Sequence, residues 1–421
     1  MSVVATQPKI VLAGIGTKGD LFPLLALGRE LVQRGHQCHL LGNEGAAALA
    51  ASHGLGFTPV TVEQADNTVS NQDNLEHHVF PSYRPTADYF REQMAVAQTL
   101  VVVNSSAYCA SNLSCEKYGL PVCRIHLAPN NLRSLIRPPW PYREKLEGPL
   151  AATYRKYFLP DLFARINRSR LFIPALNPFR AELGLAPVDT IPEIDRVVRT
   201  RLGFFPSWYA EPAADWPHPF ELAGFPLPAT TAALPSEFTD FVRREGSPIV
   251  FTPGTGVPDV ALFFEQARQC CEALELPGVF LSQHFRAPNG LGNRIRHFEF
   301  LDLELVLRHT ALLVHHGGIG TTARAFQAGV PQIIRARMYD QPDNGDRVQR
   351  LGVGRCLHGE GDTTEALIAA AKHLTSSAEV QRQVEHFRSA IAGSGDGIPR
   401  AADWLERFLA KAGSSRLRLA S

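Results

Sequence analysis

Apolar residues in the first sixty positions fall alternately into short unbroken runs and helical spacing. Lys9 to Gly14 (KIVLAG) is a short apolar run ending in glycine and reads as a buried strand. From Asp20 to Arg34 the apolar positions are Leu21, Leu24, Leu25, Leu27, Leu31 and Val32, a one-faced helical spacing stopped by Gly35. Cys38 to Leu41 predicts a second strand, and Ala46 to His53 a second helix closed by Gly54. This is the opening of a doubly wound parallel α/β domain. Thr99 to Val103 and Pro121 to Ile125 continue it as buried strands.

Between Trp140 and Pro226 prolines and aromatics crowd the chain and the alternation is lost. It restarts with Pro248 to Pro253, then Gly254-Thr255-Gly256 and a helix from Pro258 to Leu274. Further strands are expected at Gly278 to Ser282, Arg296 to Phe300, Ala311 to His315 and Pro331 to Ile334, with helices between. Thr364 to Lys411 reads as helical, with a polar tail. The expected fold is α/β with two Rossmann-like halves: residues 1–228, a linker at 229–246, a second domain at 247–395, and a C-terminal helix and tail at 396–421.

Composition narrows the function. The 421 residues carry 42 Lys+Arg against 41 Asp+Glu, a formal charge of +1, so no basic excess serves general nucleic-acid binding. No apolar run approaches the ~20 residues of a membrane helix. The start, MSVVATQPKIVLAGIG, reads as a first strand and not a signal peptide. Seven cysteines without a CxxC argue against a disulfide framework or zinc ribbon, and suit a cytoplasmic protein. His77-His78 and His315-His316 are adjacent pairs that point apart in a strand, and no HxxxH lies on a helix, so no resident metal is expected. Asp302-Leu303-Glu304 lies in an apolar stretch and carries little weight as a metal pair.

Three stretches carry candidate chemistry. Gly14-Ile15-Gly16-Thr17-Lys18-Gly19-Asp20 contains GxGxxG between a strand and a helix. Asp20 argues against a pyrophosphate there, because a carboxylate at a helix N-terminus repels phosphate. It is either the N-cap, with Pro23 in the first helical turn, or a group at the mouth of a crevice. His315-His316-Gly317-Gly318-Ile319-Gly320-Thr321-Thr322 runs from a strand through a glycine turn into a helix, an anion site whose histidines either donate to a phosphate or rest in the core. Tyr339-Asp340-Gln341-Pro342-Asp343-Asn344 offers acceptors and a donor suited to sugar hydroxyls, or a helix cap.

In this order the stretches resemble the inverting, family 1-type nucleotide-sugar glycosyltransferases of the GT-B fold, over essentially the whole chain. The bacterial branch that looks most similar is typified by the rhamnosyltransferase subunit of rhamnolipid synthesis and by sterol and antibiotic glycosyltransferases. The carrying segments are GTKGDLFPLLALGRELVQRGH (16–36), EKYGLP (116–121), FPSWYAEPAADWPHPFELAGFPL (205–227) and HHGGIGTTARAFQAGVPQIIRARMYDQPDNGDRV (315–348). The resemblance implies two domains facing a central cleft and a C-terminal helix returning to the N-terminal domain. It implies an acceptor side in 1–228 and a nucleotide-sugar side in 247–395.

Residue by residue, it implies His315 on the donor diphosphate and a phosphate cradle at Gly317, Gly318, Ile319, Gly320 and Thr321, with Thr255 close by. It also implies Phe300 stacked on the base, Asp340 and Gln341 on the sugar, Asp20 as general base, and Gly16 and Thr17 as further donor contacts. The chain departs from the pattern at Asp302, where a proline is usual, and at Ala323, where many relatives place a ribose-binding Glu. That leaves UDP- and dTDP-sugars open as co-substrate, with no cofactor implied.

The acceptor is expected to be a small polar molecule, met by loop residues His77, His78, Asn104, Ser105, His126 and Asn130, with a hydroxy-acyl lipid as alternative. No nucleic-acid partner and no integral membrane segment are expected, and oligomeric state is not legible. The rivals are an NAD(P)-dependent oxidoreductase using Gly14 to Gly19 with Glu44 on the ribose, and a non-catalytic sugar-nucleotide-binding partner subunit.

Overall fold

The computed structural model describes residues 9–61, 75–96, 100–105, 110–143, 150–254, 260–283 and 292–419. The chain divides into two units, Met1–Pro226 with Asp396–Ser421, and Leu227–Gly395.

Among the described residues, the first unit is built on a seven-stranded sheet with order β3-β2-β1-β4-β5-β6-β7. The strands are β1 Lys9–Ala13, β2 Cys38–Asn43, β3 Gly56–Thr61, β4 Leu100–Ser105, β5 Val122–His126, β6 Val198–Gly203 and β7 Phe220–Leu222. Every pairing is parallel. A parallel sheet needs cover on both faces, which explains the unbroken apolar runs of β1 and β4. One face, with Ile10, Leu12, Leu40, Cys123, Ile125 and Leu202, packs with helix Lys18–Gln33 and helix Gly397–Leu419. The other, with Val11, Ala13, Val102, Val122 and Val198, lies under helices Tyr83–Ala95, Ala110–Tyr118 and Phe172–Glu182.

The C-terminal helix therefore completes the first unit. Ile398, Ala401, Ala402, Trp404 and Leu405 enter its core. Arg34 donates to Asp403 (2.6 Å) and Glu406 (2.9 Å), and Arg400 Nε donates to the carbonyl of Ala223 (2.6 Å).

The second unit holds β8 Ile249–Thr252, β9 Gly278–Leu281, β10 Ile295–Phe298, β11 Leu312–His315, β12 Gln332–Arg335 and β13 Gly354–Leu357. Their order is β10-β9-β8-β11-β12-β13, again all parallel. In each sheet the strand order reverses once, between β1 and β4 and between β8 and β11. Ligands of open α/β sheets bind outside the carboxyl ends of strands at such a reversal.

Several expectations change. Residues 229–246 are not a linker: helix Ser236–Glu245 buries Phe238 and Phe241 against Val250, Val279 and Leu313. The first helix starts at Lys18, so Asp20 is its third residue, Thr17 is the N-cap, and Pro23 lies inside the helix rather than in its first turn. The proline-rich middle supplies helices and two strands, β6 and β7.

Three strand histidines are buried or half-buried: His126 and His315 fully, His39 in part. His39 bonds Thr58 Oγ1 (2.8 Å) and stacks on Tyr89; burial, then the Lys9 charge, lower its pKa to about 4. His126 is held well below the usual value by burial and by Arg124 and Arg201, and His315 is lowered to about 3 chiefly by burial. All three lie below the ordinary ~6.5. Their contribution is therefore complete above pH ~6.5 and lost as pH falls, each adding up to ~1.4 kcal/mol per pH unit. Melting temperature should fall progressively between pH 6.5 and 4.5 in differential scanning calorimetry; a flat profile would contradict the neutral burial. Separately, Trp404→Ala should cost about 3–5 kcal/mol in a urea titration, because the returning helix is part of the core.

Candidate functional site

In the first unit β1 leads through Gly14 and Gly16 into helix Lys18–Gln33. Asp20 Oδ2 accepts from the Thr17 amide (2.8 Å) and the Thr17 hydroxyl (3.0 Å). Gly16 has φ +135°, and a Cβ there would lie 2.5 Å from Asp20 Oδ2, so conformation and space both demand glycine. Its amide donates to Asn43 Oδ1 (3.0 Å) at the end of β2. Burial raises the Asp20 pKa, and the two Thr17 bonds oppose that rise. Both bonds use Oδ2; Oδ1 has no partner among the described residues. A dinucleotide pyrophosphate would find the Thr17 amide already taken and a carboxylate in the loop.

The residues expected on the acceptor separate into groups. Asn104 belongs to the interior: its Nδ2 donates to Ser111 Oγ (3.0 Å) and Asn112 Oδ1 (2.7 Å), and its Oδ1 accepts from Arg124 (3.3 Å). It is a brace and not a ligand contact. Ser105, at the end of β4, is buried beside Gly14 with an unpartnered Oγ among the described residues. His126 ends β5 with neither ring nitrogen bonded among them, and Asn130 Oδ1 is likewise unpartnered. Gly16, Asn43, Ser105 and His126 thus line the carboxyl edge of β1, β2, β4 and β5. His77 is exposed on the turn Leu75–Val79, and the side chain of His78 lies outside the described residues.

In the second unit β11 ends at His315 and the chain turns at Gly317 (φ +97°) into helix Ile319–Ala328, capped by Gly318. His315, expected on the donor, is fully buried. Its Nε2 bonds Gln332 Oε1 (3.0 Å) and its Nδ1 accepts from the Gly317 amide (3.1 Å). Both nitrogens are spent on the fold. Neighbouring side chains at a strand end point to opposite sides, so His316 faces away from the pocket that holds the His315 ring. The His316 ring sits between two glycines: a Cβ at Gly254 would lie 2.5 Å from its Nδ1, and one at Gly318 2.6 Å from its Nε2. His316 Nδ1 is buried without a partner among the described residues, and burial lowers the pKa to about 4. The imidazole is neutral at pH 7 and acts as a hydrogen-bonding group.

The amides of Ile319, Gly320 and Thr321 precede the first helical bond, from Thr322 N to Gly318 O (3.0 Å), and have no carbonyl one turn back. Nothing lies within 4 Å of a Cβ placed on Gly320. Together these amides and His316 form a ready anion cradle. Thr255 lies outside the described residues. Phe300 is 72% exposed, as a stacking platform requires. Asp302 caps the helix Leu303–Val306 by accepting from the Glu304 amide (2.9 Å), and Glu304 pairs with Arg308 and Arg324, so the acidic triplet is structural. Ala323, where many relatives are expected to place a ribose-binding Glu, is buried.

Asp340 and Gln341 are brought to the same turn. Asn344 Nδ2 donates to Gly317 O (2.9 Å) and to Asp340 Oδ2 (2.8 Å). Gln341 Oε1 accepts from the amides of Arg337 (2.9 Å) and Met338 (3.2 Å), which leaves its amide nitrogen as donor. The sequence leaves open which of His315 and His316 meets a phosphate, and gives no sign that Gln332 holds His315 or that Asn344 holds the Gly317 turn. Alternation at a strand end is the signal that separates the two histidines.

Comparisons with known proteins follow the same division. Residues 10–134 match the glycosyltransferase family 28 N-terminal domain, and residues 280–394 match the erythromycin biosynthesis protein CIII-like C-terminal domain. Glycosyltransferase GtfE of Amycolatopsis orientalis is 27% identical over 431 residues, covering 94% of this chain and 97% of the relative. The calicheamicin glycosyltransferase CalG4 superimposes with TM-score 0.71 at 20% identity, over 96% of this chain and 99% of that one. Glycosyltransferase VinC, solved in complex with dTDP, gives 0.68 at 17% identity, over 96% and 100%. The chain is thus similar, over residues 10–134 and 280–394, to a glycosyltransferase family 28 N-terminal domain and an EryCIII-like C-terminal domain, and its two parallel-sheet units have the GT-B fold.

Proposed function

We propose that this chain transfers a hexose from a dTDP- or UDP-sugar to a hydroxyl of a small polar acceptor, with inversion at the anomeric carbon. The observation that carries the reading is His316, a neutral, half-buried imidazole whose Nε2 edge lies against Gly318, the N-cap of helix Ile319–Ala328. The amides of Ile319, Gly320 and Thr321 and the His316 ring receive the diphosphate. As the glycosidic bond breaks, negative charge grows on the leaving phosphate, and these fixed dipoles gain strength without rearranging. Asp340 and Gln341 take sugar hydroxyls, and Phe300 takes the base. VinC was solved with dTDP, which favours a dTDP-sugar here.

Asp20 is the general base. A free Asp has a pKa of about 3.9, weak towards an alcohol. Burial raises it, and Oδ1 is the oxygen not engaged by Thr17, so the acceptor proton goes there. The oxocarbenium-like transition state lets this proton move late.

The first check is thermal shift of the full chain with dTDP, UDP, GDP, NAD and NADP, in EDTA. At a hundredfold excess over Kd a bound nucleotide stabilises by about 2.7 kcal/mol, a rise of about 3 °C at this size. A rise with dTDP or UDP is expected; a rise with NAD or NADP alone would overturn the reading. Asp20→Asn should lower transfer by roughly 10²–10⁴-fold while keeping the nucleotide shift. His316→Ala should lose shift and transfer together, and an unchanged shift would remove His316 from the donor site.

A further inference from the structure

The first unit holds a buried cationic cluster that this reaction does not use. The sheet face that buries Val102, Val122 and Val198 turns polar toward its carboxyl edge. Register sets Arg124 of β5 beside Asn104 of β4 on one side and Arg201 of β6 on the other. His126 follows Arg124 on the same face two residues on. Arg124 Nη1 donates to Asp195 Oδ1 (2.6 Å), but its Nη2 is buried and unpartnered among the described residues. Arg201 is 8% exposed and its side chain bonds no described residue. Burial lowers its pKa; the Asp195 charge opposes this and the Arg124 charge adds to it. His126 has two unbonded ring nitrogens and lies 5.4 Å from Phe220, which lies 5.1 Å from Trp216. Trp216 Nε1 is a further buried, unpartnered donor.

Two strand guanidinium charges therefore share the Asp195 carboxylate, whose charge also acts on Arg133, among neutral donors with nothing to donate to. Native interiors rarely leave such groups unmet, and a buried arginine without an anion is costlier still. Planar forks of this kind suit carboxylate and phosphate oxygens. We propose that the cluster binds an oxyanion, a carboxylate or phosphate, carried by the acceptor, with Arg201 and Arg124 as its main ligands and Trp216 Nε1 and His126 beside them. This rests on reading the first unit as the acceptor side.

The test titrates inorganic phosphate and benzoate, separately and at constant ionic strength, into the full chain by calorimetry. Wild type, Arg201→Gln, Arg201→Lys, His316→Ala and the exposed control Arg165→Gln are compared. Millimolar binding of at least one anion is expected, weakened tenfold or more in Arg201→Gln, largely kept in Arg201→Lys, and unchanged in Arg165→Gln and His316→Ala. Benzoate alone would name a carboxylate acceptor, and phosphate alone a phosphorylated one. Equal binding in wild type and Arg201→Gln, loss in His316→Ala instead, or no binding of either anion would overturn the proposal. If Arg201→Gln does not fold, Trp216→Phe replaces it, since it removes one donor and keeps an aromatic ring. Binding should then weaken about threefold or more, and unchanged binding overturns the proposal. The dTDP shift is measured on the same samples: its absence with anion binding intact would sink the donor reading and leave this site standing.

Discussion

The second unit depends on one close approach. Gly317 must pass so near the next loop that a single added carbon would sit 2.5 Å from Ile334 and 3.2 Å from the Gln341 carbonyl. The approach lets Asn344 bond Gly317 and Asp340 at once. It also turns the Gly317 amide back onto His315, whose other nitrogen holds Gln332. Two loops from different strands become one rigid surface, on which the helix amides, His316, Asp340 and Gln341 have fixed places. A site that must stabilise growing charge benefits from dipoles that are already oriented.

The first unit solves a similar problem with opposite charge. Gly16 is again the residue that gives way, here to admit a carboxylate. Asp20 closes the loop by bonding Thr17, and the same closure removes an amide that a phosphate would need. One strand–glycine–helix turn is thus tuned against anions and the other toward them. The GxGxxG pattern alone does not distinguish these outcomes; the residue that follows it does.

Much of this is legible in the sequence, and the exceptions have physical causes. Strands β1, β4, β8 and β11 are buried on both faces and show as apolar runs. β6 (VRTRLG) is hidden because Arg199 and Arg201 interrupt its apolar residues. β3 carries Pro59 at a sheet edge, and β7 has three residues. Helix Ser236–Glu245 looks like a linker because prolines precede it and few of its residues are apolar, although Phe238 and Phe241 anchor it. The resemblance puts His315 on the donor, whereas both of its ring nitrogens are engaged within the fold, by Gln332 and Gly317. Glycine and histidine content marks a turn as a binding site, but which of two neighbours faces out depends on where the strand ends. Asn104 misleads for the same reason: a polar residue at a strand end is equally at home in an internal network.

Protonation ties the two sites together. His316 is kept neutral by burial, so in the proposed donor site it would meet a diphosphate without adding a full charge that would also hold the product. Asp20 is pushed the other way by burial, toward a more basic carboxylate. The environment that makes an imidazole a poor cation makes a carboxylate a better base, because desolvation disfavours whichever form is charged. Arg124 and Arg201 are the groups for which burial has no such remedy, since a guanidinium does not give up its proton in a protein. Their charge must be met by an anion, and Asp195 supplies only one.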